Sequence, residues 1–177
     1  MTPKQSLIFL SLIAMTGLTG PAFAVSESDV IATMTPKEHK IDEIRNGEIR
    51  QLQLVLSRAD AREMQPDLML RLAELYTEKY KLYFLKESEV WTKQMDAYLA
   101  MPLERQKARP KPVLDASASK KWLTKTVEVL QAIPRQKIPY ERLDEVYYYL
   151  AFNQWELNRK AESVLNFQKI IDSRSEE

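Results

Sequence analysis

A single glycine, Gly47, occurs beyond residue 24, and the chain has no cysteine. That scarcity removes several architectures at once. Tight two-residue hairpins rely on Asn-Gly or Asp-Gly, and the one Asn46-Gly47 pair sits among helically spaced residues rather than between apolar runs. A phosphate-cradling loop or a dinucleotide fingerprint needs several glycines. Val, Ile and Thr alternate too rarely to write strands. The fold class is therefore all-α, built from helical hairpins with a long central helix. With no cysteine to form a disulfide framework, the fold must rest on packing.

Residues 1–24 read as a signal peptide. Lys4 supplies a short positive start, and the apolar run Leu7–Met15 is shorter than the about 20 residues a bilayer span needs. Gly17, Gly20 and Pro21 break the helix before Ala22-Phe23-Ala24, a small-x-small site that predicts cleavage after Ala24 and a periplasmic location. No cysteine follows to carry a lipid. The chain has 26 basic and 25 acidic side chains, and of these only Lys4 lies in the leader. The remainder is formally neutral, which argues against nucleic acid as a partner.

Residues 25–34 are polar and expected to be flexible. Thr35, Pro36 and Glu38 form a helix start, with Thr35 as cap and Glu38 able to reach back. Ile41, Ile44, Ile49, Leu52 and Leu56 predict a helix ending near Arg62. Pro66 opens a second, with Asp67 in its first turn and a stripe of Leu68, Leu72, Tyr76, Tyr80, Phe84, Trp91 and Tyr98. At 1.5 Å per residue it reaches roughly 50 Å. Together 35–99 form one long helical hairpin. Its acids Glu74, Glu78, Glu87 and Glu89 alternate with Lys79, Lys81 and Lys86, a pattern of solvated ion pairing. Residues 100–114 break the periodicity: Pro102, Pro110 and Pro112 exclude a continuous helix, while Arg105, Lys107, Arg109 and Lys111 make the loop basic. Such a loop serves solubility, or it meets anionic lipid headgroups or an acidic partner. Residues 115–177 are helical again. Asp115, Ser117 or Ser119 caps a third helix with Leu123, Val127, Leu130 and Ile133 on one side, and Pro134 stops it.

Arg142–Asp172 reads as two amphipathic helices joined at Asn158-Arg159-Lys160. Tyr147, Leu150, Ala151 and Gln154 share a face, and the small residues Ala151 and Ser163 let the two helices approach closely, with Tyr147 and Phe167 filling the space beside them. The spacing approximates a tetratricopeptide unit over 142–175. Met69, Leu72, Ala73 and Tyr76 repeat it 78 residues earlier. Pro66–Lys79 and Leu143–Phe152 resemble exported tetratricopeptide-repeat proteins of Gram-negative gliding and predatory bacteria, of the adventurous-gliding motility type. More distantly, they are similar to the TolA-binding cell-division coordinators. The resemblance implies a fragment of a right-handed α-solenoid serving as a periplasmic scaffold that binds envelope proteins or peptides. It also implies that Tyr148, Phe152 and Trp155 face the binding groove with Glu145 and Glu156 at its edge. The competing expectation packs those aromatics against the helix Ser119–Ile133. The terminal helix carries Val164, Leu165, Phe167, Ile170 and Ile171, more apolar surface than one neighbour covers, which predicts pairing with another chain or with further repeats.

Chemistry is sparsely represented. His39 is the only histidine, so no Cys–His pair or cysteine-containing zinc site can be assembled. No sharp strand-to-helix turn presents a serine. The expectation is a non-enzymatic protein without cofactor or metal. A self-associating helical envelope protein lacking a peptide groove stands as the alternative to the interaction scaffold.

Overall fold

The computed structural model describes residues 26–58 and 64–175. The expected leader and its cleavage site lie outside them. The described residues form seven helices and no strand: α1 (Glu27–Ala32), α2 (Pro36–Leu56), α3 (Gln65–Leu99), α4 (Leu103–Lys107), α5 (Ser117–Arg135), α6 (Leu143–Glu156) and α7 (Lys160–Ser175). The all-α expectation holds, and so does the long central helix. None of the described helices is long and apolar enough to cross a membrane.

Each long helix packs on the next: α2 on α3, α3 on α5, α5 on α6 and α6 on α7. Hydrogen bonds fix their directions. Along α3 and α5, Tyr83 meets Trp122 near one end and Met69 meets Gln136 at the other, so the pair is antiparallel. Asp67 at the start of α3 accepts from Tyr140 Oη at 2.8 Å and lies 3.7 Å from Arg142, just ahead of α6. Tyr80, further along α3, donates to Glu156 at the end of α6. Hence α6 runs beside α3 in the same direction. Burial and the Asp67 carboxylate together push Tyr140 up to about 12.

Two apolar clusters share α3. One joins Val30 and Met34 with Ile49, Leu72, Leu75, Tyr76, Tyr83 and Trp122; the other joins Met69, Leu70 and Ala73 with Val127, Leu130, Ile133, Val146 and Leu150. Several expectations change here. The segment expected to be flexible contains α1, closed by a reciprocal Ser26–Asp29 capping box and anchored by fully buried Val30. Helix α2 stops at Leu56 rather than near Arg62, with residues 59–63 outside the description. Phe84 is exposed and Tyr83 is buried in its place. A spacing of four advances about 400° around a helix of 3.6 residues per turn, so a straight i+4 stripe drifts off the core face. Pro134 lies inside α5, whose last helical residue is Arg135 before Lys137 turns at φ 56°.

The largest correction concerns charge. Lys79, Lys86 and Glu87 are buried, not solvated. Lys79 Nζ donates to both Asp42 oxygens and to Asn46 Oδ1, each at 2.8 Å, and sits 4.4 Å from the centre of the Trp122 ring. Burial outweighs Asp42 and pushes this ammonium down from the ordinary lysine range. Lys86 reaches Glu38 at 2.8 Å and Glu89 at 3.2 Å, and Glu38 lifts its pKa. Glu87 Oε1 accepts from the backbone N–H groups of Ala118 and Ser119. The start of α5 is thus capped from two sides: Asp115 Oδ1, one of the expected caps, accepts from Ser117 N–H at 3.0 Å, and Glu87 of α3 takes the next two.

The basic segment is also more ordered than a plain loop. It holds the short helix α4 and folds back along α3, where Tyr98 donates to Gln106 O and Trp91 Nε1 to Pro112 O.

Two outcomes follow from the buried charges. Asp42→Leu or Lys79→Met alone strands one buried charge and is expected to cost about 3–5 kcal/mol, while the double substitution costs much less than the sum of the two; urea unfolding of the four chains checks it. The Lys86 hydrogen bond, then the Thr35 backbone N–H, hold Glu38 at about 2, below its ordinary 4.5. A depressed carboxylate contributes stability above its unfolded pKa, which is lost as pH falls toward the folded value. Melting temperature should therefore drop between pH 4.5 and pH 2, and Glu38→Gln should flatten part of that drop.

Candidate functional site

The hairpin α6–α7 is closed by its turn chemistry. Asn158 adopts φ 60°, Arg159 N–H donates to Gln154 O at 2.8 Å and Asn158 N–H to Trp155 O at 2.9 Å. That pair of bonds is a Schellman ending, and asparagine is one of the few residues that enters this backbone region cheaply. Beyond the turn the seam lies where the spacing puts it. Ala151 and Ser163 are completely buried against each other's helices, and Leu150 and Gln154 are buried with them. Gln154, standing where the repeat spacing favours an aromatic, bonds to Asn166 Nδ2 at 2.8 Å and Glu162 at 2.9 Å. Phe167 meets Tyr148 edge-on at 6.2 Å, while Tyr147 is capped by the Lys169 ammonium at 4.7 Å.

The same spacing in α3 gives the same depth. Met69, Leu72, Ala73 and Tyr76 are all buried, as are Leu150, Ala151 and Gln154 at their counterparts 78 residues on; Tyr147 is half-buried. Chemistry differs between the two seams: Tyr76 stacks obliquely on Trp122, whose ring also carries the Lys125 ammonium at 4.4 Å.

Between the parallel helices α3 and α6 lies a cleft of about 220 Å³. Glu74, Thr77, Glu78 and Lys81 on α3, Thr126 on α5 and Tyr149 on α6 line it above an apolar floor of Leu70, Ala73 and Leu130. Glu78 is held by Arg45 at 2.9 Å and Glu74 by Arg71 at 3.1 Å. The carboxylates are therefore fixed in place by neighbouring bases, while Lys81 is exposed. A second cleft, about 490 Å³, opens between α6 and α7 and is lined by Asp144, Glu145, Tyr148, Tyr149, Phe167, Ile170 and Ile171.

The expected binding residues do not converge on one site. Tyr148, Phe152 and Trp155 are each about half exposed, at 52%, 51% and 51%, so they are not packed into the core against α5. Tyr148 and Glu145 line the α6–α7 cleft, where Glu145 is held by Arg142 at 2.7 Å. Glu156 touches Tyr80 across the α3–α6 boundary, and Trp155 faces Lys160 at 5.3 Å. Tyr149, not singled out in the sequence, is the aromatic that reaches the cleft beside α3. The cleft residues of α3 were missed as well, because their acids and bases look like any solvated helix face. Arg105, Lys107, Arg109 and Lys111 are exposed on and after α4, remote in sequence from either cleft. Among the described residues no cluster of His, Asp and Glu is arranged to hold a metal.

Because Tyr148 and Trp155 are half exposed, Tyr148→Ala and Trp155→Ala should each cost no more than about 1 kcal/mol. Leu150→Ala, by contrast, should cost about 2–5 kcal/mol through the cavity it leaves. Thermal unfolding of the three variants checks the contrast.

Comparison of the chain with protein-family models, with curated proteins and with solved structures returns no match.

Proposed function

We propose that the chain is an exported, periplasmic tetratricopeptide-like scaffold that binds an envelope protein or peptide and catalyses nothing. The observation that carries this reading is the pair of parallel helices α3 and α6, whose Met69/Tyr147, Leu72/Leu150, Ala73/Ala151 and Tyr76/Gln154 positions bury the same face against an antiparallel partner helix. Two hairpins so related present the first helix of each side by side. The open faces of α3 and α6 then form one surface, carrying Glu74, Glu78 and Lys81 on the first helix and Phe152 and Glu156, with Glu145, on the second.

That surface suits a ligand with both charge and an apolar anchor. Glu74 and Glu78 are braced by Arg71 and Arg45, so they offer fixed acceptors without needing to be ordered on binding. Phe152 supplies exposed aromatic area of the kind that anchors interfaces. Arg105, Lys107, Arg109 and Lys111 lie apart from this surface and fit a contact with anionic headgroups. The alternative, a structural protein without a peptide groove, is favoured by a different observation: the uncovered apolar side chains Val164, Leu165 and Ile171 of α7.

A photo-crosslinking amino acid placed at Lys81 or Phe152 in cells should give the same discrete adduct, and one at Lys120 on α5 should give none. Equal labelling at all three, or none at 81 and 152, refutes the groove. Export is checked separately: the periplasmic fraction should contain a chain whose first residue is Val25.

A further inference from the structure

The last buried residue of α3 is Glu87, which takes two of the first amides of α5. From Ser88 to Ser117 no residue is buried, so the far arm of α3 and the segment returning from it have no core of their own. Polar contacts hold them together instead. Gln106 Nε2 donates to Met101 O at 2.7 Å and to Leu99 O at 3.3 Å, which closes the turn at the end of the arm. Tyr98 Oη donates to Gln106 O at 3.0 Å and Trp91 Nε1 to Pro112 O at 3.2 Å, which ties the returning segment to α3.

The turn and the stem behind it differ in chemistry. Leu99-Ala100-Met101-Pro102-Leu103 carries no charge, and Leu99 and Leu103 are 60% and 71% exposed. Val113, on the returning segment, is 83% exposed, more than any other large apolar side chain among the described residues. From Lys93 to Val113 the bases Lys93, Arg105, Lys107, Arg109 and Lys111 face only two acids, Asp96 and Glu104. All five bases are exposed. Glu104 meets Lys107 at 3.5 Å in an exposed pair that water screens. Among the described residues, Arg105, Arg109 and Lys111 have no carboxylate within ion-pair distance. A protein interface would call for a different composition, since such surfaces anchor on aromatics and are depleted in lysine. The aromatics of the arm, Trp91 and Tyr98, are already engaged in holding the returning segment. A bilayer surface fits the pattern: apolar side chains pass the headgroups, and lysine and arginine behind them keep their charges among the phosphates.

We propose that the arm enters an anionic bilayer end first, with Leu99 and Leu103 reaching the acyl chains and Arg105, Lys107, Arg109 and Lys111 meeting lipid phosphates behind them. The inference rests on the reading of the basic segment as a headgroup contact and adds an inserted apolar turn to it. It does not depend on the α3–α6 groove. Glu78 lies 21 residues before Leu99 on the same helix, so an arm standing in the membrane holds that groove about 30 Å from the inserted turn.

The chain starting at Val25, without the apolar run Leu7–Met15, should sediment with vesicles of phosphatidylglycerol and phosphatidylcholine in equal parts and not with phosphatidylcholine alone. Having no cysteine, it accepts a single label. A nitrobenzoxadiazole dye on Leu103→Cys should shift to the blue on the anionic vesicles and be quenched by spin-labelled acyl chains. The same dye on Lys120→Cys should do neither. Leu99→Ser combined with Leu103→Ser should weaken binding roughly tenfold or more, and Arg105→Gln about fivefold, both with the melting temperature unchanged. Vesicle binding without a dye response at 103, or binding that the leucine pair leaves intact, overturns the insertion while the headgroup contact stands. No binding to the anionic vesicles at low salt overturns both. Equal sedimentation with the two kinds of vesicle removes the bases from the contact and overturns the proposal as well.

Discussion

The buried ammonium of Lys79 determines how the amino-terminal half is put together. A charge this deep is tolerable only if its donors are met. Here Asp42 and Asn46 meet them from α2, and the faces of Trp122 and Tyr83 lie over it from α5 and α3. Three helices must be in register at once for that to hold. Apolar packing alone accepts many sliding offsets of α2 along α3, whereas a lysine with two acceptors one helical turn apart accepts one. The polar contacts around it work in the same sense: Arg45 to Glu78 and Lys86 to Glu38 fix further points along the same boundary.

The length of α3 makes this arrangement consequential. Its first half meets α2, α5 and α6 in turn, so each of the two apolar clusters is closed by residues of the same helix. Its second half carries Glu87, whose carboxylate ends the start of α5, and Trp91 and Tyr98, which hold the α4 segment. Every long helix other than α7 is therefore positioned directly against α3. The open surface of α3, with its braced carboxylates, inherits that rigidity.

Much of this was legible in the sequence, and the boundary of legibility is physical. The turn at Asn158 and the seam through Leu150, Ala151 and Gln154 depend on residues within about ten positions of one another, and local spacing reports them. The α3 helix is similarly visible because Pro66 begins it and no breaker follows before Pro102. What depends on distant partners was not visible. Lys79 and Glu87 look like surface charges until Asp42 and the first amides of α5 arrive from 37 and about 31 residues away. The short α1 was hidden for the same reason, since Val30-Ile31-Ala32 is too short an apolar run to show a period, and the burial of Val30 is decided by Tyr83 and its neighbours.

The unlike chemistry of the two otherwise similar seams bears on folding. Tandem hairpins of one geometry invite exchange, in which a helix of one pairs with the complement belonging to the other, within a chain or between chains. Here the first seam is built of rings and cations, Tyr76 and Trp122 with Lys79 and Lys125. The second is a polar chain, in which the Gln154 amide joins the Asn166 amide to the Glu162 carboxylate. If α6 took the place of α3 against α5, the Gln154 amide would be shut in beside Trp122 without acceptor or donor. That swapped pairing buries an unanswered amide, at a cost of about 1–3 kcal/mol, and the difference favours α5 keeping α3 as its partner.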